Sequence, residues 1–184
     1  AKKLINIKLR QERKANIGLN TSKSDPTINA LGRVVGSLCI LTAQKGNEEN
    51  LISGAMVASW VSQASFSPPG ITISVAKERA VENLLHKGDK FALNILDQNN
   101  HQALLAQFLQ SFKPGDNRFA DLEIKLSPGN QPLLKEALAW LEGTVIQRME
   151  CGDHWLIYAE IKHGKVIKKD GVTAVHHRKT GANY

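Results

Sequence analysis

"SQASFSPPGITISVAKERA", Ser62–Ala80, places small hydroxyl side chains first, then two adjacent prolines, an alternating run and finally two cations. Ile71, Ile73 and Val75 alternate with Thr72, Ser74 and Ala76, the period of a half-buried β-strand. Neither Pro68 nor Pro69 can donate to a ladder, so a loop or a strand edge is expected around them. Hydroxyls and N–H groups near Ser62, Ser65 and Ser67 can then face a concave space. Ala55, Ala58, Ser59 and Ala64 lack bulk, which lets a flat ring approach the backbone. Lys77 and Arg79 leave the strand where a helix is expected to start, near Ala80. Open N–H groups at a helix start, beside a guanidinium, suit a phosphate. The stretch thus reads as a shelf for a planar ring beside an anion anchor. Taken singly, each part has a plainer explanation in sheet packing, an ordinary turn or solvated charge, and only the combination points to a site.

Outward from this stretch the chain is rich in strands. "RVVGSLCILTA" (33–43) is an apolar β-run in which Gly36 marks a kink or bulge. It pairs across "QKGNEEN" (44–50) with "LISGAMVASW" (51–60) as a hairpin. "AVENLLHKG" (80–88) reads as a short helix with Gly88 at C′, and "KFALNIL" (90–96) as a strand. "HQALLAQFLQSF" (101–112) has helical spacing and is stopped by Pro114–Gly115. "PLLKEALAWLEG" (132–143) supports a helix or a strand. "TVIQRM", "ECGD" and "HWLIYAEI" (144–161) form a hairpin, with a further turn expected at His163–Gly164. Residues 1–20 read as a linker or short amphipathic helix, and 21–27 as a polar loop broken by Pro26. Many short antiparallel strands with few helices indicate a mainly β chain, a β-barrel with helices packed outside. No G-x-G-x-x-G and no Walker lysine occurs.

The 184 residues, 42% apolar and 22% charged, suit one globular domain. No apolar run approaches the roughly 20 residues that cross a bilayer, so membrane insertion is not expected. The start is basic but lacks an apolar secretory segment, and it begins with Ala, which fits a domain cut from a longer protein or a chain whose initiator Met is removed. Cys39 and Cys151 are widely spaced and read as reduced thiols in a cytoplasmic setting. The net charge of +7 is concentrated toward the two ends, as solvated termini or as a field for anionic ligands.

"GAMVASWVSQASFSPPGITISVAKERAVENLL" (54–85), "GRVVGSLCILTA", "FALNIL" and "CGDHWLIYAEI" together resemble the flavin-reductase-like family, with its split β-barrel (antiparallel Greek-key) FMN-binding fold. The resemblance covers about 30–184, leaving 1–29 as an extension. "DHWLIYAE" and "GVTAVHHRKTGANY" are most similar to the C-terminal module of diflavin flavodiiron proteins. The resemblance implies FMN (or FAD) held near a homodimer interface and reduced by NADH or NADPH. It also implies flavodoxin-like and di-iron domains in the full-length protein, with oxygen reduced to water. Carried over by position, Met56, Ala58 and Ser59 line the isoalloxazine, and Ser65 and Phe66 sit in the loop beneath it. Lys77, Arg79, Ala80 and Asn83 hold the phosphate end. Relatives often carry Ser or Thr where Arg79 and Ala80 stand, so a charge-based phosphate contact is expected here.

Hydride transfer to a flavin needs neither a nucleophile nor a metal, because the cofactors supply the reactivity. His154, with Asp153 fixing its tautomer, is the candidate for orienting NAD(P)H or the flavin edge; a plain turn histidine is the alternative. His176–His177 point to opposite faces if they lie on a strand and are not expected to bind a metal. Trp60, Trp140 and Trp155 read as core or interface residues, with Trp60 beside the shelf; Asn94 reads as a strand-edge hydrogen bonder or a site residue. Two other functions compete: a flavin-binding electron relay without NAD(P)H activity, and a basic nucleic-acid-binding barrel. The scarcity of aromatic platforms makes nucleic acid an unexpected partner.

Overall fold

The computed structural model describes residues 25–110 and 117–182. The expected linker over 1–20 and the stop at Pro114–Gly115 lie outside the described residues. By contacts the chain divides into two compact units, 25–34 with 177–182, and Val35–His176.

In the small unit, helix α1 (Pro26–Leu31) begins where a broken loop was expected. The Asp25 carboxylate caps it by accepting the Thr27 N–H at 2.8 Å. Pro26 stands in the first turn, where its missing N–H is not needed and its fixed φ suits the helix.

The large unit is built from β1 (Gly36–Ser37), β2 (Cys39–Lys45), β3 (Ile52–Ala58), β4 (Val61–Ser65) and β5 (Gly70–Ala76). They are followed by β6 (Lys90–Ile95), β7 (Ile124–Leu126), β8 (Pro132–Leu134), β9 (Ala139–Cys151), β10 (His154–Val166) and β11 (Val175–His176). Helix α2 (His101–Phe108) lies between β6 and β7. Seven strands form one antiparallel sheet in the order β3-β2-β6-β9-β10-β5-β4. The long β9–β10 hairpin is its spine, and register shifts at Tyr158/Ala159 and Ile161/His163 bend it.

Alternation along β2 explains how the sheet closes. Cys39, Leu41 and Ala43 enter a core with Ile71, Ile73, Val75, Phe91, Leu93 and Ile157. Leu38 and Ile40 point the other way, into a second core with Leu104 and Phe108 of α2. Both faces of β2 are therefore buried, the inner one within the coiled sheet and the outer one under the helix.

Several local expectations change. Of the loop or strand edge expected around the prolines both form: "SQAS" belongs to edge strand β4, and the prolines lie in the turn before Gly70. "AVENL" is a five-residue 3-10 turn, Ala80–Leu84. Gly88 has φ +90 but lies beyond that turn, and its N–H donates to Val145 O at 2.8 Å. The ambiguous 132–143 segment is two strands joined by a turn over 135–138, because β8 pairs with β7 and β9 with β6. No turn interrupts His163–Gly164. There β10 runs on, and a Cβ on Gly164 would stand 2.8 Å from Leu141 Cδ2, so the glycine serves close passage.

Asn94 is fully buried on the inner strand β6 rather than at an edge. Its amide donates to Ile40 O and Thr42 Oγ1, both at 3.2 Å, and its Oδ1 accepts the Leu134 N–H at 2.8 Å. Thr42 Oγ1 in turn donates to Pro132 O at 2.6 Å. These bonds dock β8 on the sheet. Asn94→Leu orphans the buried Leu134 N–H and is expected to lower unfolding free energy by about 1–3 kcal/mol. An unchanged urea midpoint would show that the bond contributes nothing.

Candidate functional site

The pairing of β10 with β5 sets His154 opposite Ala76. Just beyond it, Lys77 N–H donates to Asp153 O at 3.0 Å. Ser74 N–H donates to Trp60 O, also at 3.0 Å, so the β3–β4 link is drawn to the same corner. There the Trp60 and His154 rings lie against each other, with centroids 4.8 Å apart and planes tilted by 38°. His154 Nδ1 is 2.7 Å from Asp153 Oδ1. An ionised carboxylate only accepts, so Nδ1 carries the hydrogen and Nε2 is left to meet a ligand. That hydrogen bond, with the neighbouring charges of His154 and Lys77 adding to it, holds the Asp153 carboxyl below its usual range. A folded-state value below the unfolded one makes the pair stabilising above the ordinary carboxylate range. The contribution disappears as pH falls through the folded value.

Ser59 is the unusual member of the corner. It is 2% exposed, and its Oγ is buried without a hydrogen-bond partner among the described residues. Buried hydroxyls are normally satisfied, and an orphan costs about 1–3 kcal/mol. Gly36 lies so close that a Cβ there would stand 1.8 Å from Ser59 O. Only a glycine lets β1 reach this backbone. A ligand with a polar edge that meets the Ser59 hydroxyl fits these residues, and a flavin ring has such an edge.

The cations sit beside this corner. Lys77 forms an ion pair with Glu150 and lies 5.2 Å from the centre of the Trp155 ring. Arg148 stands 4.5 Å from the same ring, paired with Glu82 and 2.9 Å from His86 Nδ1. Arg79 is exposed and precedes the 3-10 turn; Ala80 and Asn83 are exposed on it. The α-helix start expected near Ala80 is thus a single tight turn, and the positive charge beside it is that of the Lys77 and Arg79 side chains.

Met56 and Ala58 belong to the wall of the inner core on β3. Ser65 and Phe66 are elsewhere. Ser65 faces Gly70 across the β4–β5 ladder, and its Oγ donates to Pro68 O at 2.7 Å. Phe66 is 88% exposed. Seven residues of extended chain separate Gly70 from Lys77, about 23 Å. Within one chain, Ser59, Lys77 and His154 therefore gather at one end of β5, and Ser65 and Phe66 at the other. Ser62 lines a cleft of about 340 Å³, with Ser37, Val61, Ile71, Leu93 and Ile161 among its walls.

Neither the Trp60–His154 contact nor the Lys77–Glu150 pair was found from sequence. The only available signal was the "ECGDHW" hairpin, whose pairing sets Glu150 opposite Trp155. Cys39 is buried, which pushes its thiol up to about 12 and leaves it no thiolate character. Both cysteines are free. Among the described residues, no group of three or more His, Cys, Asp or Glu side chains is placed to hold a metal. No described helix is long and apolar enough to cross a membrane.

Comparison with known proteins agrees with the geometry. Residues 31–182 match the flavin reductase like domain family. A putative diflavin flavoprotein A 3 of Synechocystis sp. is 54% identical over 177 residues, 96% of this chain and 29% of the relative. Diflavin flavoprotein A 1 of the same organism is 52% identical over 155 residues, 84% of this chain and 26% of the relative. The chain thus spans less than a third of these relatives. Among solved structures, the NADH:FAD oxidoreductase SgcE6 of Streptomyces globisporus superposes with a TM-score of 0.71 at 23% identity, covering 83% of this chain and 86% of that one. A flavin reductase domain protein from Arthrobacter sp. gives 0.68 at 22% identity, covering 80% and 87%. At that identity the likeness speaks for the fold, which is the split β-barrel expected from the sequence. Matched along most of its length by the family and about half identical to its diflavin relatives, the chain belongs to the flavin reductase-like family, oxidoreductases that bind flavin and draw electrons from NADH or NADPH.

Proposed function

We propose that this chain is the NAD(P)H:flavin oxidoreductase module of a longer flavodiiron protein, with FMN (FAD being the larger alternative) held where Ser59, Trp60 and His154 meet. The observation that carries the placement is the orphaned Ser59 hydroxyl beside the stacked Trp60 and His154 rings. In this reading Ser59 Oγ hydrogen-bonds the polar edge of the ring, and Met56 and Ala58 form the wall behind it. Lys77 and Arg79 supply charge to the phosphate, with Ala80 and Asn83 beside them. His154 Nε2, steered by Asp153, orients the nicotinamide or the flavin edge. Flavin supplies the hydride-accepting chemistry when bound, and the protein's task is to align two flat rings and exclude water.

The spread of about 23 Å along β5 favours a homodimer, in which Ser65 and the exposed Phe66 reach the flavin of the other subunit. The relatives are named diflavin flavoproteins and this chain spans less than a third of each, which supports a second flavin-binding domain in the same protein; in this reading that domain is flavodoxin-like, a di-iron domain accompanies it, and oxygen is reduced to water. Two free cysteines fit a cytoplasmic location.

Anaerobic NADH or NADPH is expected to bleach the absorbance of FMN bound to the chain. A flavin that stays oxidised would leave an electron relay as the surviving function. His154→Ala is expected to raise KM for NAD(P)H or lower kcat by tenfold or more while FMN still binds; unchanged steady-state kinetics would remove His154 from the site. A charge-assisted hydrogen bond is worth about 1.5–3 kcal/mol. Arg79→Ala should therefore weaken FMN binding about ten- to a hundredfold and leave riboflavin, which lacks the phosphate, unaffected. Equal affinity of wild type and variant for FMN would misplace that anchor.

A further inference from the structure

Two cations flank Trp155, and each has its own carboxylate, but the two pairs differ in access. The Arg148–Glu82 pair is nearly covered, with side chains 11% and 13% exposed. It is held further by Leu85 O at 3.3 Å and His86 Nδ1 at 2.9 Å. Such a pair is part of the framework, because separating it strands a buried charge. In the Lys77–Glu150 pair, Lys77 is 32% exposed and rests on the indole face, whereas Glu150 is 67% exposed. Glu150 stands one residue from the end of β9, near the β9–β10 turn at Gly152–Asp153, where its side chain has solvent to move into. An exposed ion pair contributes little and exchanges readily.

We propose that Glu150 is a displaceable counter-ion which competes with an incoming phosphate for Lys77, and so sets how tightly phosphorylated flavin is held. The inference rests on the reading of Lys77 as a contact of the phosphate end. A phosphate that approaches Lys77 either displaces the carboxylate or stays beside a like charge. Both routes reduce the advantage of FMN over riboflavin, and both are screened by salt over a Debye length of about 10 Å at 0.1 M. The pair therefore favours a flavin that exchanges over one that is locked in place. Charge removal at Glu150 should reverse this without touching the ring contacts.

The test is titration of the purified chain with FMN and with riboflavin, followed by flavin fluorescence at low and high salt, for wild type, Glu150→Gln and Lys77→Met. Glu150→Gln is expected to tighten FMN about two- to fivefold at low salt, with the gain fading at high salt and riboflavin unchanged. A gain shared equally by riboflavin, or no gain while Lys77→Met weakens FMN, overturns the role of Glu150 and leaves the phosphate reading standing. If Lys77→Met leaves FMN affinity unchanged, the phosphate reading falls and the proposal falls with it.

Discussion

The register of β5 against β10 is the constraint on which the site depends. It sets Ala76 opposite His154 and Val75 opposite Trp155, and carries Lys77 N–H onto Asp153 O. Because side chains alternate along a strand, a slip of one residue would exchange these faces. His154 would then leave Trp60, and Trp155 would leave the two cations. The register is fixed from inside, since Ile71, Ile73, Val75 and Ile157 must all enter one core. Hydrophobic packing thus positions polar groups that have little mutual attraction of their own.

The same core explains the small residues nearby. Gly36 brings β1 onto the Ser59 carbonyl, and Gly143 passes beneath Phe91, where a Cβ would stand 2.8 Å from Cζ. The first approach lies against a buried Ser59, whose hydroxyl nothing among the described residues satisfies. At Asn94 the outcome is the opposite: a buried polar group is fully engaged and docks β8. Two buried polar side chains therefore differ: Asn94 is architecture, whereas Ser59, in the β3–β4 link, is the one the proposed function assigns to a ligand.

Much of the fold could be read from local pattern. The alternation of β5 and β6 and the helical spacing of α2 are local signals, and the ordered motifs of 54–85 resemble one family. What failed depended on partners remote in sequence. "PLLKEALAW" has helical spacing, yet Asn94 Oδ1 holds its first residues and the β6 ladder its last ones in strands, with a turn between. Gly164 looks like a turn but serves close passage beside Leu141. The candidate residues were named along a linear order that folding divides, with Ser65 and Phe66 carried to the far end of β5. Glu150, 73 positions from Lys77 in the chain, became its partner only through the hairpin.

The central claim, that the flavin ring lies against the Ser59–Trp60–His154 corner, is most directly tested by nuclear magnetic resonance of the three tryptophan indole N–H groups during FMN addition. Trp140 lies near the opposite end of β9, opposite Lys165, and serves as an internal control. The account predicts a large ring-current shift at Trp60 and none at Trp140. A Trp60 signal that stays in place while FMN binds would contradict it.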